Sequence, residues 1–524
     1  MSRMARERRF RIFPTWQNAL LALLGAGLLI LAFPDFEWWW TAWFALVPLM
    51  WAVEREGKAM PAFMLGWLFG IACFFGTVWW LTYAPIHYGF VPAGLAYLLI
   101  LTACILTGLF PALFAAILSR LLKRFGSWAF LAAPFVWVFT EFARYWLTGN
   151  DWNAIGYSQA FTHLPLIAAR VGGVLLVSFV LALSASLLVM WLAKPRLVLL
   201  LSFSILGLAL SDVQIWPPCG LCDDYIEFES KPYTLAVMVQ PNVPMSGLLD
   251  SDWRRLRQEQ FDAGIGGIVP ELPKGDSRVG NLVILPESPM NFAYNDDREF
   301  QQYVRDFTTK NNVSLLFNSA EPDGLTGKYF NSAVMVGPDG KKVAEYDKIY
   351  LLPFGEAVPF PFSGLMPAVV GSFAYGRNYS LMPVGDAKAG VMICFESHFG
   401  SLSREYVREG ADVLIEMTND GYLGPTPVLR QHLANAVFRA VETNRPLIRA
   451  TNVGITTHIT ENGQIMEAAP TYSEATRDGI ISKSDGSQTF YVKYGDWFAW
   501  LCTVVTAVLL AATFRRKQLS QASA

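Results

Sequence analysis

Long apolar runs with very few charges occupy most of the first 212 residues and return once near the end of the chain. A helix needs about 20 such residues to cross a hydrocarbon layer about 30 Å thick. The pattern predicts about eight membrane-spanning helices, over residues 16–33, 38–53, 60–83, 91–118, 128–146, 171–192, 197–210 and 497–514. The second run is short and is flanked by Glu37 and Glu54. The first run lacks a clear small-residue cleavage site, so we interpret it as an uncleaved helix rather than a signal peptide.

A different pattern begins near residue 225 and continues to about residue 490. Short runs that are apolar on successive residues alternate there with polar stretches of helical composition. The runs predict strands over 234–240, 282–285, 314–318, 332–336, 390–393 and 413–417, and helices over 251–268, 297–310 and 427–443. Successive apolar residues are typical of strands that are buried on both faces. We therefore predict a membrane bundle over 1–212, a layered α/β domain over 225–490, and a last span with its tail over 496–524.

The composition agrees with this division. The chain is 53% hydrophobic and only 16% charged, whereas soluble proteins average about 25% charged residues. Contact of roughly half the chain with lipid explains the shortfall. The net charge of -2 leaves no positive excess to replace counterions around phosphates, so we expect no nucleic-acid partner.

Basic residues fall on every second loop between the predicted spans. They are Arg3, Arg6, Arg8, Arg9, Arg11, Arg55, Lys58, Arg120, Lys123, Arg124, Lys194, Arg196, Arg515, Arg516 and Lys517. Cytoplasmic loops of membrane proteins carry an excess of Lys and Arg. The alternation predicts that both termini are cytoplasmic and that the α/β domain is extracytoplasmic.

The six cysteines are too few for a disulfide scaffold. Cys219 and Cys222 form a CGLC pair before the α/β domain, which we interpret as a local disulfide or as free thiols without a catalytic role. No His/Cys cluster has the spacing of metal ligands, so we expect no metal and no diffusible cofactor.

Three reactive side chains follow predicted strands. Glu287 comes after 282–285, Lys348 comes after a strand-like run at 342–346, and Cys394 ends the run at 390–393. Groups at the carboxyl ends of strands can converge on one cleft. A carboxylate can deprotonate a thiol, and an ammonium can stabilise an oxyanion, with the backbone N–H of Phe395 as a second donor. For Cys394 alone, a buried structural thiol is the competing interpretation, and for Glu287 or Lys348 alone it is a surface salt bridge. Together the three residues predict a thiol acyl-transfer site.

Several motifs carry a resemblance to known proteins. VILPES at 283–288, YDKIYLLPFGE at 346–356 and GVMICFES at 390–397 resemble the nitrilase superfamily of carbon–nitrogen hydrolases. Together with the membrane layout, the whole chain resembles the apolipoprotein N-acyltransferase family of bacterial envelopes. Further family-like stretches are VQPN at 239–242, LTGNDWNAIGYSQ at 147–159, TNDGYLG at 418–424 and QHLANAVFRAVETNRPLIRATNVGIT at 431–456.

The resemblance implies an αββα sandwich in which Glu287 is the base, Lys348 stabilises the oxyanion and Cys394 is the nucleophile. It also implies a supporting carboxylate, which matches Glu356, and a role for Glu396 beside the nucleophile.

Two positions depart from the family pattern. Phe395 stands where the family often has Tyr, so a role for a phenol hydroxyl does not carry over. Leu249 stands where a Trp sometimes occurs, which puts substrate stacking at that position in doubt.

The stretch 351–385 is rich in Phe, Leu, Met, Pro and Gly and has very few charges. So apolar a segment in an aqueous domain is either a patch for lipid or part of the internal packing. We predict a lipid-access loop that admits an acyl chain from the outer leaflet, through Phe360, Phe362, Leu365 and Met366. Internal packing is the alternative.

The resemblance implies that a fatty acyl group passes from a membrane phospholipid, through a Cys394 thioester, to the amine of the diacylglyceryl cysteine of an apolipoprotein. It also implies the bacterial inner membrane, with the site on the periplasmic side.

Two alternatives stay open. One is a membrane-tethered amidase that hydrolyses its acyl-enzyme with water. The other is a transporter with an extracytoplasmic binding domain, for which Glu141 and Arg144 in the fifth predicted span are thin support.

Overall fold

Apolar helices form the first part of the structure. The computed structural model describes residues 11–162, 164–193, 232–268, 278–287, 292–358 and 371–514. The first helix is capped by Thr15, whose side chain accepts the N–H of Asn18 at 3.3 Å, as a residue before a helix commonly does. The helices of this part are α1 (Trp16–Ala32), α2 (Leu46–Glu56), α3 (Ala59–Val78), α4 (Tyr83–His87), α5 (Ala93–Thr107), α6 (Leu109–Phe125), α7 (Ala133–Thr148) and α8 (Leu164–Ala193).

Four segments among the described residues are long and apolar enough to cross a membrane. They are Ala59–His87, Ala93–Thr148, Leu166–Trp191 and Trp497–Phe514. The predicted second span, 38–53, is instead a 3₁₀ turn at Trp39–Trp43 followed by α2, and the 11 residues of α2 rise only about 16 Å. The predicted seventh span, 197–210, lies outside the described residues, so the number of spans stays a prediction.

Helix α8 is interrupted at Gly172 and Gly173, so the predicted sixth span starts at a break in the helix. Gly173 has a φ of +68°, and a Cβ there would lie 2.6 Å from the ring of Tyr491. Glycine adopts such a backbone without a steric penalty. The break also frees the N–H of Val174, which donates to Glu442 Oε1 at 2.9 Å and so joins the bundle to the α/β part.

Two sheets form the centre of the α/β part. The strands are β1 (Tyr233–Gln240), β2 (Arg278–Ile284), β3 (Ser314–Pro322), β4 (Tyr329–Val336), β5 (Lys342–Asp347), β6 (Phe373–Ala374), β7 (Leu381–Val384), β8 (Ala387–Ile393), β9 (Val413–Thr418), β10 (Leu447–Thr451), β11 (Thr457–Ile459), β12 (Ile465–Met466) and β13 (Ala475–Ser482). The first sheet has the order β13-β1-β2-β3-β4-β5, with β6 beside β4, and the second has the order β12-β11-β10-β9-β8-β7. Strands β1-β2-β3 and β8-β9-β10 run parallel. Each strand predicted from an apolar run is present.

Helices cover the outer face of each sheet. Helices α9 (Asp250–Gly266) and α10 (Arg298–Asn311) pack on the first sheet through a separate core that includes Phe261, Val283 and Phe300. Helices α11 (Gly400–Arg408), α12 (Val428–Thr443) and α13 (Phe490–Tyr494) follow, and α14 (Trp497–Phe514) returns to the bundle. The result is the predicted αββα arrangement, because two strand layers that are apolar on both faces each need a helical cover.

Helix α12 lies between the second sheet and the bundle, where it contacts both β10 and α8. Every residue of α12 except Arg430 is buried, which a helix with a single buried face does not show. The α/β domain is therefore seated on the bundle through the same helix that covers its second sheet.

Candidate active site

The predicted reactive side chains meet between the two sheets. Glu287 lies three residues beyond β2, Lys348 follows β5 directly, and Cys394 follows β8 directly. Lys348 Nζ lies 3.4 Å from Glu287 Oε1, and both charges act on the thiol of Cys394. Two loops from the first sheet and one from the second thus converge on one point.

Lys348 is held by a second carboxylate, that of Glu356. Its Nζ donates to Glu356 Oε1 at 2.9 Å and lies 2.8 Å from Oε2. Asn331 bridges the two acids, because its Nδ2 donates to Glu356 Oε1 at 2.7 Å and to Glu287 Oε1 at 3.0 Å. The N–H of Leu352 donates to Glu356 Oε2 at 2.8 Å. Glu356 therefore fixes the position of the ammonium.

Glu287 keeps more contact with solvent than its partners. Its side chain is 13% exposed, whereas that of Lys348 is 1% exposed and that of Glu356 is 5% exposed. Its Oε2 accepts the N–H of Asn419 at 3.1 Å. A base has to reach the proton that it removes, and Glu287 is the more exposed of the two carboxylates on Lys348.

Cys394 begins a 3₁₀ turn, Cys394–His398, and has a φ of +54°. Such a backbone is costly for a residue with a side chain and persists only where neighbouring contacts impose it. The carbonyl oxygen of Cys394 accepts bonds from Ser397 Oγ at 3.3 Å and from His432 Nε2 at 3.1 Å. Cys394 is half-buried and directly follows β8.

Burial raises the pKa of the Cys394 thiol well above its ordinary value, and the carboxylate of Glu287 raises it further, while Lys348 opposes both effects. The thiol is therefore protonated at neutral pH and needs a base. Burial lowers the pKa of Lys348, but Glu287 and Glu356 outweigh this and raise it. Lys348 is therefore a permanent cation beside the thiol.

Glu396 is buried and accepts hydrogen bonds from four donors near the nucleophile. Its Oε1 accepts bonds from Tyr346 Oη and the Ile349 N–H, both at 2.7 Å, and from the Tyr350 N–H at 3.0 Å. Its Oε2 accepts the N–H of Ile393 at 2.9 Å. Burial raises the pKa of Glu396 to about 7, against the opposing influence of Lys348 and these bonds. Glu396 thus ties the segment after Lys348 to the strand that ends at Cys394.

Sequence reasoning missed a buried ionic cluster under the nucleophile. His432 Nδ1 lies 2.7 Å from Asp420 Oδ1, and its Nε2 lies 3.0 Å from Glu416 Oε1. Arg449 pairs with Glu416 and, at 3.1 Å, with Asp420 Oδ2. Burial lowers the pKa of His432, but the two carboxylates raise it to about 9 against the repulsion of Arg449. The sequence signal for this cluster is one charged residue inside each of two otherwise apolar strands. These residues are Glu416 in β9 and Arg449 in β10, and they pair directly in the sheet.

The other predicted positions are less informative. The ring of Phe395 packs against His398 and Phe399, with centroids 5.6 and 5.2 Å apart. Leu249 is exposed and immediately precedes α9. The four side chains of the predicted lipid-access loop (Phe360, Phe362, Leu365 and Met366) and the Cys219–Cys222 pair lie outside the described residues.

Comparison with known proteins identifies the family. A model of the apolipoprotein N-acyltransferase N-terminal domain matches residues 25–187, and a carbon–nitrogen hydrolase model matches residues 278–489. The apolipoprotein N-acyltransferase of Geobacter metallireducens is 32% identical over 96% of both chains. That of Ralstonia nicotianae is 30% identical over 95% of this chain and 93% of its own, and that of Pasteurella multocida is 28% identical over 91% of both. A solved amidase from Nesterenkonia sp. is 14% identical over 52% of this chain and 96% of its own, with a TM-score of 0.37, which is too weak a likeness to decide anything about the site. Because these relatives match over nearly the full length of both chains, the chain is an acyltransferase and belongs to the apolipoprotein N-acyltransferase family.

Proposed function

We propose that the protein transfers a fatty acyl group from a membrane phospholipid to the N-terminal amine of the diacylglyceryl cysteine of an apolipoprotein. The observation that carries the proposal is the ammonium of Lys348, held by Glu356 next to the more exposed Glu287, with both charges acting on the thiol of Cys394. The acceptor follows from what the relatives are named to act on. The acyl donor follows from the apolar helices that adjoin the domain.

In the first half-reaction, Glu287 takes the thiol proton while Sγ of Cys394 attacks the ester carbonyl of the phospholipid. The resulting oxyanion is stabilised by Lys348 and by the N–H of Phe395. The intermediate then expels the glycerol oxygen, which takes the proton back from Glu287, so that a thioester and a lysophospholipid remain. In the second, the acceptor amine attacks the thioester, loses a proton to Glu287 and releases the Cys394 thiolate, which that proton restores to the thiol.

The arrangement in the membrane is part of the same proposal. The bundle covers residues 1–212, the catalytic domain covers 225–490, and the last span and its tail cover 496–524. The chain lies in the bacterial inner membrane with both termini cytoplasmic and the catalytic domain on the periplasmic side, as the alternating basic loops favour. Donor lipid then enters from the outer leaflet through the lipid-access loop. Replacing its four side chains by Ser should slow turnover on phospholipid vesicles, and unchanged kinetics would refute this entry route.

Intact-mass spectrometry after incubation with a glycerophospholipid tests the chemistry. We expect a fatty-acyl adduct that hydroxylamine removes and that is absent from Cys394→Ala. The matched control is Cys104→Ala, which removes another free cysteine, one that is buried in α5, and it should keep the adduct. A wild-type protein that never acquires the adduct would refute the proposed mechanism.

The identity of the acceptor separates this function from the amidase alternative. The acylated protein should be discharged by a diacylglyceryl peptide with a free N-terminal amine, and the acyl group should appear on that peptide as an amide. A matched peptide with an acetylated N-terminus should leave the thioester in place. Discharge by water at the same rate with or without the free-amine peptide would favour the amidase.

A further inference from the structure

A short loop of the bundle, residues 149–154, reaches the turn that carries Cys394. Two side chains of helix α7 bind the second half of the loop and the residue that follows it. Arg144 Nη1 donates to the carbonyl of Trp152 at 2.8 Å, and Glu141 Oε1 accepts the N–H of Ile155 at 2.9 Å. Both α7 side chains are buried. A buried charge needs polar partners, and the loop backbone supplies them. The loop is therefore a fixed part of the bundle.

This loop binds the nucleophile turn through Asp151. His398 is the last residue of the turn Cys394–His398, and its Nε2 lies 2.9 Å from Asp151 Oδ1. The side chain of His398 is fully buried and that of Asp151 is 14% exposed. The ring of Trp152 lies against His398 and His432, with centroids 5.3 and 6.0 Å apart. The loop thus contacts His398, which ends the turn, and His432, which binds the carbonyl of Cys394.

Two successive residues of α12 complete the connection. Gln431 binds the bundle, because its Oε1 accepts from Trp80 Nε1 at 3.1 Å and Trp152 Nε1 at 2.9 Å, and its Nε2 donates to the carbonyl of Thr77 at 3.0 Å. The next residue, His432, binds the carbonyl of Cys394. A displacement of the bundle loop is therefore transmitted to the nucleophile from two sides.

We propose that Asp151 and His398 are positioning residues, through which the membrane bundle holds the Cys394 turn in the geometry that acyl transfer requires. The inference rests on the proposed role of Cys394 as nucleophile. The positive φ of Cys394 has to be imposed by its surroundings, and the turn it begins is anchored at its far end by the Asp151–His398 contact. The α/β domain thus depends on the bundle for its chemistry as well as for its location.

Four substitutions test the contact. His398→Phe keeps a flat ring in the packing and removes both nitrogens, whereas His398→Gln keeps an N–H donor. Asp151→Ala removes the acceptor, and Asp151→Asn keeps an acceptor oxygen. The measurement is the single-turnover rate of Cys394 acylation by intact mass, over a range of phospholipid concentrations.

We expect the saturating rate to fall about 10- to 100-fold in His398→Phe and Asp151→Ala, the scale of a 1 Å misplacement of a reacting group. The half-saturating lipid concentration should not change, because neither residue binds the lipid. His398→Gln and Asp151→Asn should stay within a few-fold of the wild type. The Asp151 N–H also donates to His398 Nε2 at 3.2 Å, so His398→Phe removes this bond as well as the side-chain contact, whereas Asp151→Ala removes only the side-chain contact. The double variant of His398→Phe and Asp151→Ala should therefore be no slower than His398→Phe alone.

The control is Glu37→Ala, which removes another contact between α12 and the bundle. Arg430 Nε and Nη2 lie 2.6 and 2.8 Å from Glu37 Oε1 and Oε2, one residue before Gln431 but away from the nucleophile turn. This variant should acylate at the wild-type rate. If His398→Phe does not fold, the Asp151 pair of variants carries the same test from the bundle side.

The possible failures are distinguishable. A wild-type protein without a Cys394 adduct would refute the proposed function and, with it, the positioning role. A wild-type adduct together with undiminished rates in the folded His398→Phe or Asp151→Ala variant would refute the positioning role alone. So would an equal loss of rate in Glu37→Ala, because any break between bundle and domain would then have the same effect.

Discussion

Replacing Glu356 by Gln tests how much a buried ion pair contributes to the stability of the fold, in comparison with a more exposed ion pair of the same length. Glu356 Oε2 lies 2.8 Å from Lys348 Nζ, with side chains that are 5% and 1% exposed. Glu345 Oε2 also lies 2.8 Å from Lys342 Nζ, but these side chains are 27% and 35% exposed. Glu345→Gln is therefore a matched control, with the same chemical change and the same separation.

The expected loss of stability follows from the hydrogen bonds of Glu356 that a Gln side chain cannot make. Glu356 accepts bonds from Lys348, Asn331 and the Leu352 N–H on its two oxygens. A Gln has one oxygen, so its NH₂ would face one of these donors and leave a bond unmade. Removing one partner of a buried pair costs about 3–5 kcal/mol. The exposed pair contributes about 0.2–1 kcal/mol.

The assay is the thermal unfolding midpoint in detergent. At roughly 2 °C per kcal/mol for a domain of about 250 residues, Glu356→Gln should lower the midpoint by about 6–10 °C, and Glu345→Gln by less than about 2 °C. The acylation rate of Cys394 should also fall in Glu356→Gln alone, because Lys348 is released toward Glu287. Equal shifts in the two variants would refute the argument that burial, rather than distance, sets the value of the pair.

Three further predictions concern the base, the buried histidine and the break in α8. Glu287→Gln should slow thioester formation by about 10²- to 10⁴-fold in the intact-mass assay, and a rate near that of the wild type would exclude Glu287 as the base. The pKa of His432 is raised from 6.5 to about 9, so the stability that its charged form contributes is fully present below pH 6.5 and is lost as the pH rises to about 9. The unfolding midpoint of the wild type, compared with that of His432→Gln, should therefore fall across this window, and a difference that does not change with pH would contradict the assignment. Gly173→Ala should cost about 1–3 kcal/mol, because its Cβ would lie 2.6 Å from Tyr491 at a φ of +68°. Gly27→Ala in α1, where a Cβ meets nothing within 4 Å, should not lower the unfolding midpoint, because Ala is the better helix former, and a similar loss in both would show that strain at Gly173 is not the cause.

The sequence by itself located several strands of the α/β part and singled out the residues to which we assign the chemistry. A strand buried on both faces has to be apolar on successive residues, so β1, β8 and β9 could be located from their runs alone. The reactive side chains stood out for the same reason. Glu287, Lys348 and Cys394 each interrupt or end such a run, where a polar group has to have a purpose or a partner.

Only the tertiary structure decided how those residues are held. Asn331 bridges two carboxylates that are 69 positions apart in the chain, and Glu396 ties the segment after Lys348 to the strand that ends at Cys394. The contact between Asp151 and His398 spans 247 positions and two parts of the protein. A local pattern records whether a residue is buried, because burial depends on the periodicity of its own element. It does not record which distant residue becomes its neighbour, because that depends on how α12 packs between the second sheet and the bundle.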